Sequence, residues 1–125
     1  MTYLLDTDVV ISHLNNKALL SLSFTTPPNM SIISYAETLY GIQKSTYHER
    51  KNQFRELIEN MSIAILPIDE CIITRYVSIK LALEKKGEKL ADFDLLIAAT
   101  AIEHHLTLVT GNKKYFSRIK GLKIL

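Results

Sequence analysis

The sequence predicts an α/β fold in which helices cover both faces of a mostly parallel sheet. Two observations predict it. Short apolar runs alternate with stretches of helical period along the whole 125-residue chain, and strands separated by helices line up parallel rather than as hairpins. The stretch 92–104 is apolar almost all round, which requires a helix buried against that sheet. One domain, residues 1–125, accommodates the pattern, and at this length a single core is buried without staples.

Residues 2–6, "TYLLD", form the first strand, with Leu4 and Leu5 as its buried interior. A helix follows over about 9–15. The polar, proline-bearing stretch "SFTTPPN" leads to a second strand near 30–33, "MSII", after which Ser34 opens the helix "YAETLYGIQKS". The next helix, "HERKNQFRELIENM", carries Phe54, Leu57, Ile58 and Met61 on one face and charge on the rest. "SIAILPI" is a third strand ended by Pro67. Asp69 caps a long helix reaching Lys86, whose apolar stripe is Ile72, Ile73, Tyr76, Ile79 and Leu83; Gly87 stops it. After the buried helix, "LTLVT" is the fourth strand and "GLKIL" a short fifth.

Composition excludes several classes. At 47% hydrophobic and 22% charged, with only 4 Gly and 3 Pro, the chain has no linker, repeat or low-complexity character. No apolar stretch approaches the roughly 18 residues that span a bilayer, and the amino terminus lacks the features of a signal peptide, so no membrane partner is expected and the cytoplasm is. The single cysteine, Cys71, sits in the apolar run Cys71-Ile72-Ile73 and reads as a core thiol. The net charge is only +2. Its distribution is more telling: after Glu103 no acid occurs, while Lys113, Lys114, Arg118, Lys120 and Lys123 follow, a tail suited to phosphates or to a solvated face.

Ligands of parallel sheets bind beyond the carboxyl ends of the strands, and several acids gather there. Asp6 ends the first strand, too early to cap the following helix, and a carboxylate beside a core needs compensation. Asp8 serves equally as an N-cap. Glu37 completes a Ser34-x-x-Glu37 capping box, yet faces the same crevice. Asp92 and Asp94 open the buried helix, where one acid suffices for the helix end. His13 and His48 are isolated and His104 and His105 end a helix, so zinc is not expected; Gly-rich phosphate loops, G-x-S-x-G and catalytic Cys/His pairs are absent. Hard oxygen donors without sulfur or imidazole suit Mg²⁺ or Mn²⁺, and such ions serve phosphodiester hydrolysis.

The stretches "YLLDTDVVISHL", "SIISYAETLYGIQKS" and "LADFDLLIAATAIEHHLTLVTGNKKYFSRIKGL" together resemble the signature blocks of PIN-domain ribonucleases, in particular the VapC-type toxins of prokaryotic toxin–antitoxin pairs. The resemblance implies a three-layer α/β/α sandwich and Mg²⁺- or Mn²⁺-dependent endoribonuclease activity. It also implies a partner antitoxin and frequent homodimers. By position, Asp6, Glu37 and Asp94 match the family's first three acids and would hold the metal, with Asp8 and Asp92 as auxiliaries. Asn112 stands at the fourth position, and Tyr115 where an acid or His is frequent. Single-stranded or loop RNA is the expected substrate, gathered by Lys113, Lys114 and Arg118. Two alternatives stand beside this. One is a degenerate PIN domain that binds RNA without cutting it, suggested by Asn112. The other is a receiver-like signalling module, which would need an acceptor Asp ending the third strand, whereas Asp69 comes only after Pro67.

Overall fold

The computed structural model describes residues 2–16, 24–46 and 48–125. Four strands, β1 (Tyr3–Leu5), β2 (Asn29–Ser31), β3 (Ala64–Leu66) and β4 (Thr107–Val109), form one sheet in the order β3-β2-β1-β4. Every neighbouring pair is parallel: Leu4 lies opposite both Asn29 and Leu108, and Met30 opposite Ile65. The chain therefore builds outward from β1 on one side through β2 and β3, then returns to place β4 on the other.

Side chains alternate across a strand, and this splits the apolar residues into two cores. Leu4 and Leu108 point to one face, where α4 (Glu70–Lys85) and α5 (Asp92–Glu103) bring Ile72, Ile79, Leu83, Leu95 and Ile97. Leu5, Met30 and Val109 point to the other, covered by α1 (Thr7–Asn16) with Val10 and Leu14 and by α3 (Glu49–Asn60) with Phe54 and Leu57. The helix α2 (Ile32–Lys44) serves both, with Ile33 toward the first core and Tyr35, Leu39 and Ile42 toward the second. The layers are helix, sheet, helix, as the alternation predicts.

Several local expectations are corrected. The second helix starts at Ile32, not after Ser34: Ser31 is extended, and its Oγ accepts the amide of Ile33 at 3.1 Å. Ser34 is consequently buried inside the helix, so the capping box that would have employed Glu37 does not form. Cys71 is exposed, not buried. On α4 the face turned inward is set by Ile72, Ile79 and Leu83, which leaves Cys71 and also Ile73 toward solvent. The expected fifth strand shrinks to a parallel bridge between Ile124 and Leu108, held by bonds of 2.8 Å on either side of Leu108. A one-turn helix, α6 (Lys113–Phe116), was not anticipated. The long helix behaves as read: Asp69 caps α4 by accepting the Ile72 amide at 2.9 Å, and Gly87 follows its end with φ +72°, a left-handed conformation that glycine adopts without strain. The loop before β2 begins at Ser23, which lies outside the described residues.

Candidate active site

Strand order reverses between β1 and β4, and in a parallel sheet that reversal opens a crevice at the carboxyl ends of the two strands. Asp6 follows β1 directly and Thr110 follows β4, so both stand at its floor. Asp6 is 5% exposed. Its Oδ1 accepts the Thr7 amide at 2.9 Å, and its Oδ2 accepts the Thr110 hydroxyl at 2.8 Å, a contact between residues 104 apart in sequence. The Thr110 oxygen in turn accepts the Asn112 amide at 3.0 Å, which ties the turn after β4 to the same point.

Burial raises the Asp6 carboxyl from 3.8 to about 7, opposed by the hydrogen bond from Thr110 and reinforced by the nearby Asp8 carboxylate. Among the described residues, no cation perturbs it. A buried acid placed against another acid, with one hydroxyl and one amide but no positive partner among the described residues, is an arrangement that calls for external positive charge.

The remaining acids surround this point. Asp8, on the first turn of α1, is exposed; a Cβ on Gly111 would stand only 3.1 Å from its Oδ2, so the bare backbone of that glycine lets the carboxyl lie over the end of β4. Thr7 joins two acids: its amide serves Asp6, and its hydroxyl donates to Glu37 Oε1 at 2.7 Å. Glu37, freed from capping, thus reaches the crevice from α2. Asp94 is half-buried at the start of α5. Burial raises its carboxyl, a hydrogen bond from Tyr115 lowers it, and Asp8 raises it again. Among the described residues, no three acidic, imidazole or thiol side chains close on a single point. Asp6 and Glu37 are each held by a threonine hydroxyl, Thr110 for the first and Thr7 for the second. The donor set is nonetheless all oxygen, which fits a hard divalent cation.

Asp92 takes a different direction. Its Oδ1 accepts from Tyr76 Oη and Lys80 Nζ, both at 2.8 Å, and chiefly the Lys80 bond holds its carboxyl below the usual range. It ties α5 to α4 instead of joining Asp94. Asn112 precedes α6 without capping it through its side chain, so its amide is free of that duty. Lys113, Lys114 and Arg118 are exposed on and after α6, beside the same strand end, with the Arg118 guanidinium 5.9 Å from the centre of the Tyr115 ring.

The sequence of a PIN domain family model matches residues 3–122, across all of the elements that build this crevice. The chain belongs to the PIN-domain family. Within that family it is similar to Ribonuclease VapC1 of Methanocaldococcus jannaschii, 39% identical over 123 residues that cover 97% of this chain and 85% of the relative. It is also similar to Ribonuclease VapC2 of Rickettsia felis, 35% identical over 130 residues covering 98% and 95%. Of solved structures, VapBC2 from Rickettsia felis, bound to a DNA fragment from their promoter, matches this PIN domain with a TM-score of 0.87 at 30% identity, covering 100% of this chain and 98% of the other.

Three residues of this PIN domain's crevice escaped sequence reasoning as working parts: Thr7, Thr110 and Tyr115. Thr7 and Thr110 carry one available signal, since each is a hydroxyl placed directly past a strand that ends at the crevice. Tyr115 stands where the resemblance places an acid or His, and its partner Ala91 is brought to it only by the packing of α5 beside β4.

Proposed function

We propose that the protein is an endoribonuclease dependent on Mg²⁺ or Mn²⁺, acting as the toxin of a toxin–antitoxin pair. The observation that carries this reading is Asp6: buried at the strand-order reversal, raised to about 7 and without a perturbing cation among the described residues. Asp6, Glu37 and Asp94 would hold the ion, with Asp8 and the Asn112 carbonyl oxygen beside them. Bound there, a divalent cation supplies polarisation of the scissile phosphate and of an attacking water.

The chain's own residues do the rest. Lys113, Lys114 and Arg118 gather the phosphate backbone of single-stranded or loop RNA beside the crevice. They also offset the repulsion that its carboxylates exert on a polyanion. Asp94 orients the water in line with the bond to be broken. A bond forms from that water oxygen to phosphorus, the bond to the ribose 3′ oxygen breaks, and a proton ends on that oxygen, leaving a 5′-phosphate. Thr7 and Thr110 keep Asp6 and Glu37 in place throughout.

An antitoxin partner accords with the solved relatives described as VapBC complexes. A homodimer accords with α4, where Ile73, Val77 and Leu81 recur at helical spacing and stay 43%, 46% and 54% exposed. Light scattering at micromolar concentration should give twice the 14.2 kDa chain mass; a monomer would remove the dimer. The reaction itself is tested with purified protein and unstructured RNA, with Mg²⁺ and with chelator. Cleavage should require the ion and vanish in Asp6→Ala. Persistence in chelator, or survival in that variant, would overturn the reading, and binding without cleavage would identify a degenerate domain.

A further inference from the structure

A cavity of about 370 Å³ lies between α4, the end of α5 and the turn after α6, and the reaction above does not employ it. Ile79, Leu83 and Ile119 form its floor, each no more than 8% exposed. Lys86, Arg118 and Lys120 stand exposed at its edge. Local pattern produces this arrangement. Ile79 and Leu83 lie one turn apart on the inward side of α4, and Lys86 follows on the same side at the helix end. Ile119 enters the core, so its neighbours Arg118 and Lys120 are left toward solvent on either side of it.

The charge at this edge is uncompensated. No acidic side chain among the described residues lines the cavity. The ion pairs Arg75–Glu103 and Lys80–Asp92 leave Lys86, Arg118 and Lys120 out. Concentrated positive charge of this kind attracts an anion. The floor asks for more than an inorganic ion, which gains nothing from contact with apolar side chains. One unpaired nucleotide has both parts, a flat base for the floor and a phosphate for the cations. Size agrees: ligand cavities run from roughly 300 to 1,000 Å³, and about 370 Å³ admits a nucleotide but no double helix. Arg118 links the cavity to the crevice. It comes shortly after α6, which carries Lys113 and Lys114, and its guanidinium lies 5.9 Å from the centre of the Tyr115 ring. A strand gathered by α6 reaches the cavity by continuing past Arg118.

We propose that the cavity is a subsite for one unpaired nucleotide of the RNA, separate from the bond that is cut. Lys86, Arg118 and Lys120 hold the phosphates on either side of that nucleotide, and Ile79, Leu83 and Ile119 receive its base. This rests on the reading of the protein as an RNA-cutting domain whose α6 gathers the strand. The subsite makes recognition depend on RNA length, because a strand must extend beyond the crevice to fill both places.

Fluorescence anisotropy in chelator measures binding, without cleavage, of single-stranded RNAs of about 4 and about 12 nucleotides. Wild type is compared with Lys86→Ala/Lys120→Ala, and with Lys44→Ala/Lys51→Ala on α2 and α3 as a control of equal charge change. All of these lysines are exposed, so the variants should fold, which their melting temperatures verify. Wild type should bind the longer RNA about tenfold more tightly than the shorter. Lys86→Ala/Lys120→Ala should lose most of that advantage and about one unit of salt slope, while the control keeps the advantage. A longer RNA made wholly of abasic residues should also lose it, since the floor then receives nothing. An advantage that survives in Lys86→Ala/Lys120→Ala, or that abasic RNA retains in full, would overturn the subsite and leave the nuclease reading standing. An equal loss in the control would overturn it too. Tighter binding of a polyglutamate peptide than of the longer RNA, lost in Lys86→Ala/Lys120→Ala, would assign the cavity to an acidic protein segment instead. A wild type that binds neither RNA, and cuts none with Mg²⁺, would overturn the nuclease reading and this proposal with it.

Discussion

Replacing Asp6 by Asn should stabilise the metal-free protein at neutral pH while abolishing cleavage. The magnitude follows from linkage. In the unfolded chain Asp6 titrates near its ordinary 3.8, and in the folded chain at about 7. The folded state therefore holds a proton that the unfolded state releases, and stability is lost as pH rises through that window. The full difference corresponds to about 4 kcal/mol at 1.36 kcal/mol per pH unit. Asn is neutral at every pH and avoids this term. It weakens the bonds now accepted from the Thr7 amide and the Thr110 hydroxyl, at a cost of about 1–2 kcal/mol. The net gain is about 2 kcal/mol above pH 7, or about 8 °C in melting temperature for a chain of this size. Near pH 4 the gain should disappear, because the pH is then close to the unfolded carboxyl's own 3.8 and little of the proton-linked difference has yet accumulated. The assay is thermal unfolding of wild type and Asp6→Asn in chelator from about pH 4 to 8. A variant no more stable than wild type at pH 8, or a difference that does not change with pH, would refute the assignment of Asp6 as a strained buried acid.

Three further outcomes follow from the same geometry. Millimolar Mn²⁺ at neutral pH should raise the melting temperature of wild type by several degrees, since a cation relieves the crowding of Asp6, Asp8 and Asp94; Asp94→Asn should largely lose that rise in the same thermal assay. Lys114→Ala should raise KM for RNA a few-fold with kcat unchanged, and lessen the salt dependence of binding by about one unit of slope, measured by fluorescence anisotropy over a salt series. Phe116→Ala should cost about 3–5 kcal/mol in chemical denaturation, because its ring is 1% exposed in the core.

Much of the fold was legible because it depends on local pattern. Apolar runs such as Leu4-Leu5, the Asp69 cap, the Gly87 stop and the almost wholly apolar α5 each declare themselves within one or two turns of chain. Boundaries were less legible where two residues compete for one role. Ser31 and Ser34 both precede helix-forming sequence, and only the backbone conformation at Ser31 decides for the earlier one, which transfers Glu37 from a cap to the crevice. Cys71 shows the same limit in another form. An apolar run on a helix cannot be entirely buried, and the rotation of α4 against α5 determines which members face out.

The sequence by itself determined the alternation of strands and helices, the parallel sheet, and the placing of acids just past strand ends, because each follows from periodicity within a short window. Which acids work together was decided only by tertiary structure. Asp92 and Asp94 are two residues apart on one helix turn, so they point to opposite sides: one accepts from Tyr76 and Lys80 of α4, while the other is half-buried and its carboxyl is raised in part by Asp8. Likewise, nothing local announces that Thr110 will donate to Asp6, because their meeting depends on β4 returning to lie beside β1. A side chain's partners across a sheet are set by strand order, and strand order is a property of the assembled core rather than of any segment within it.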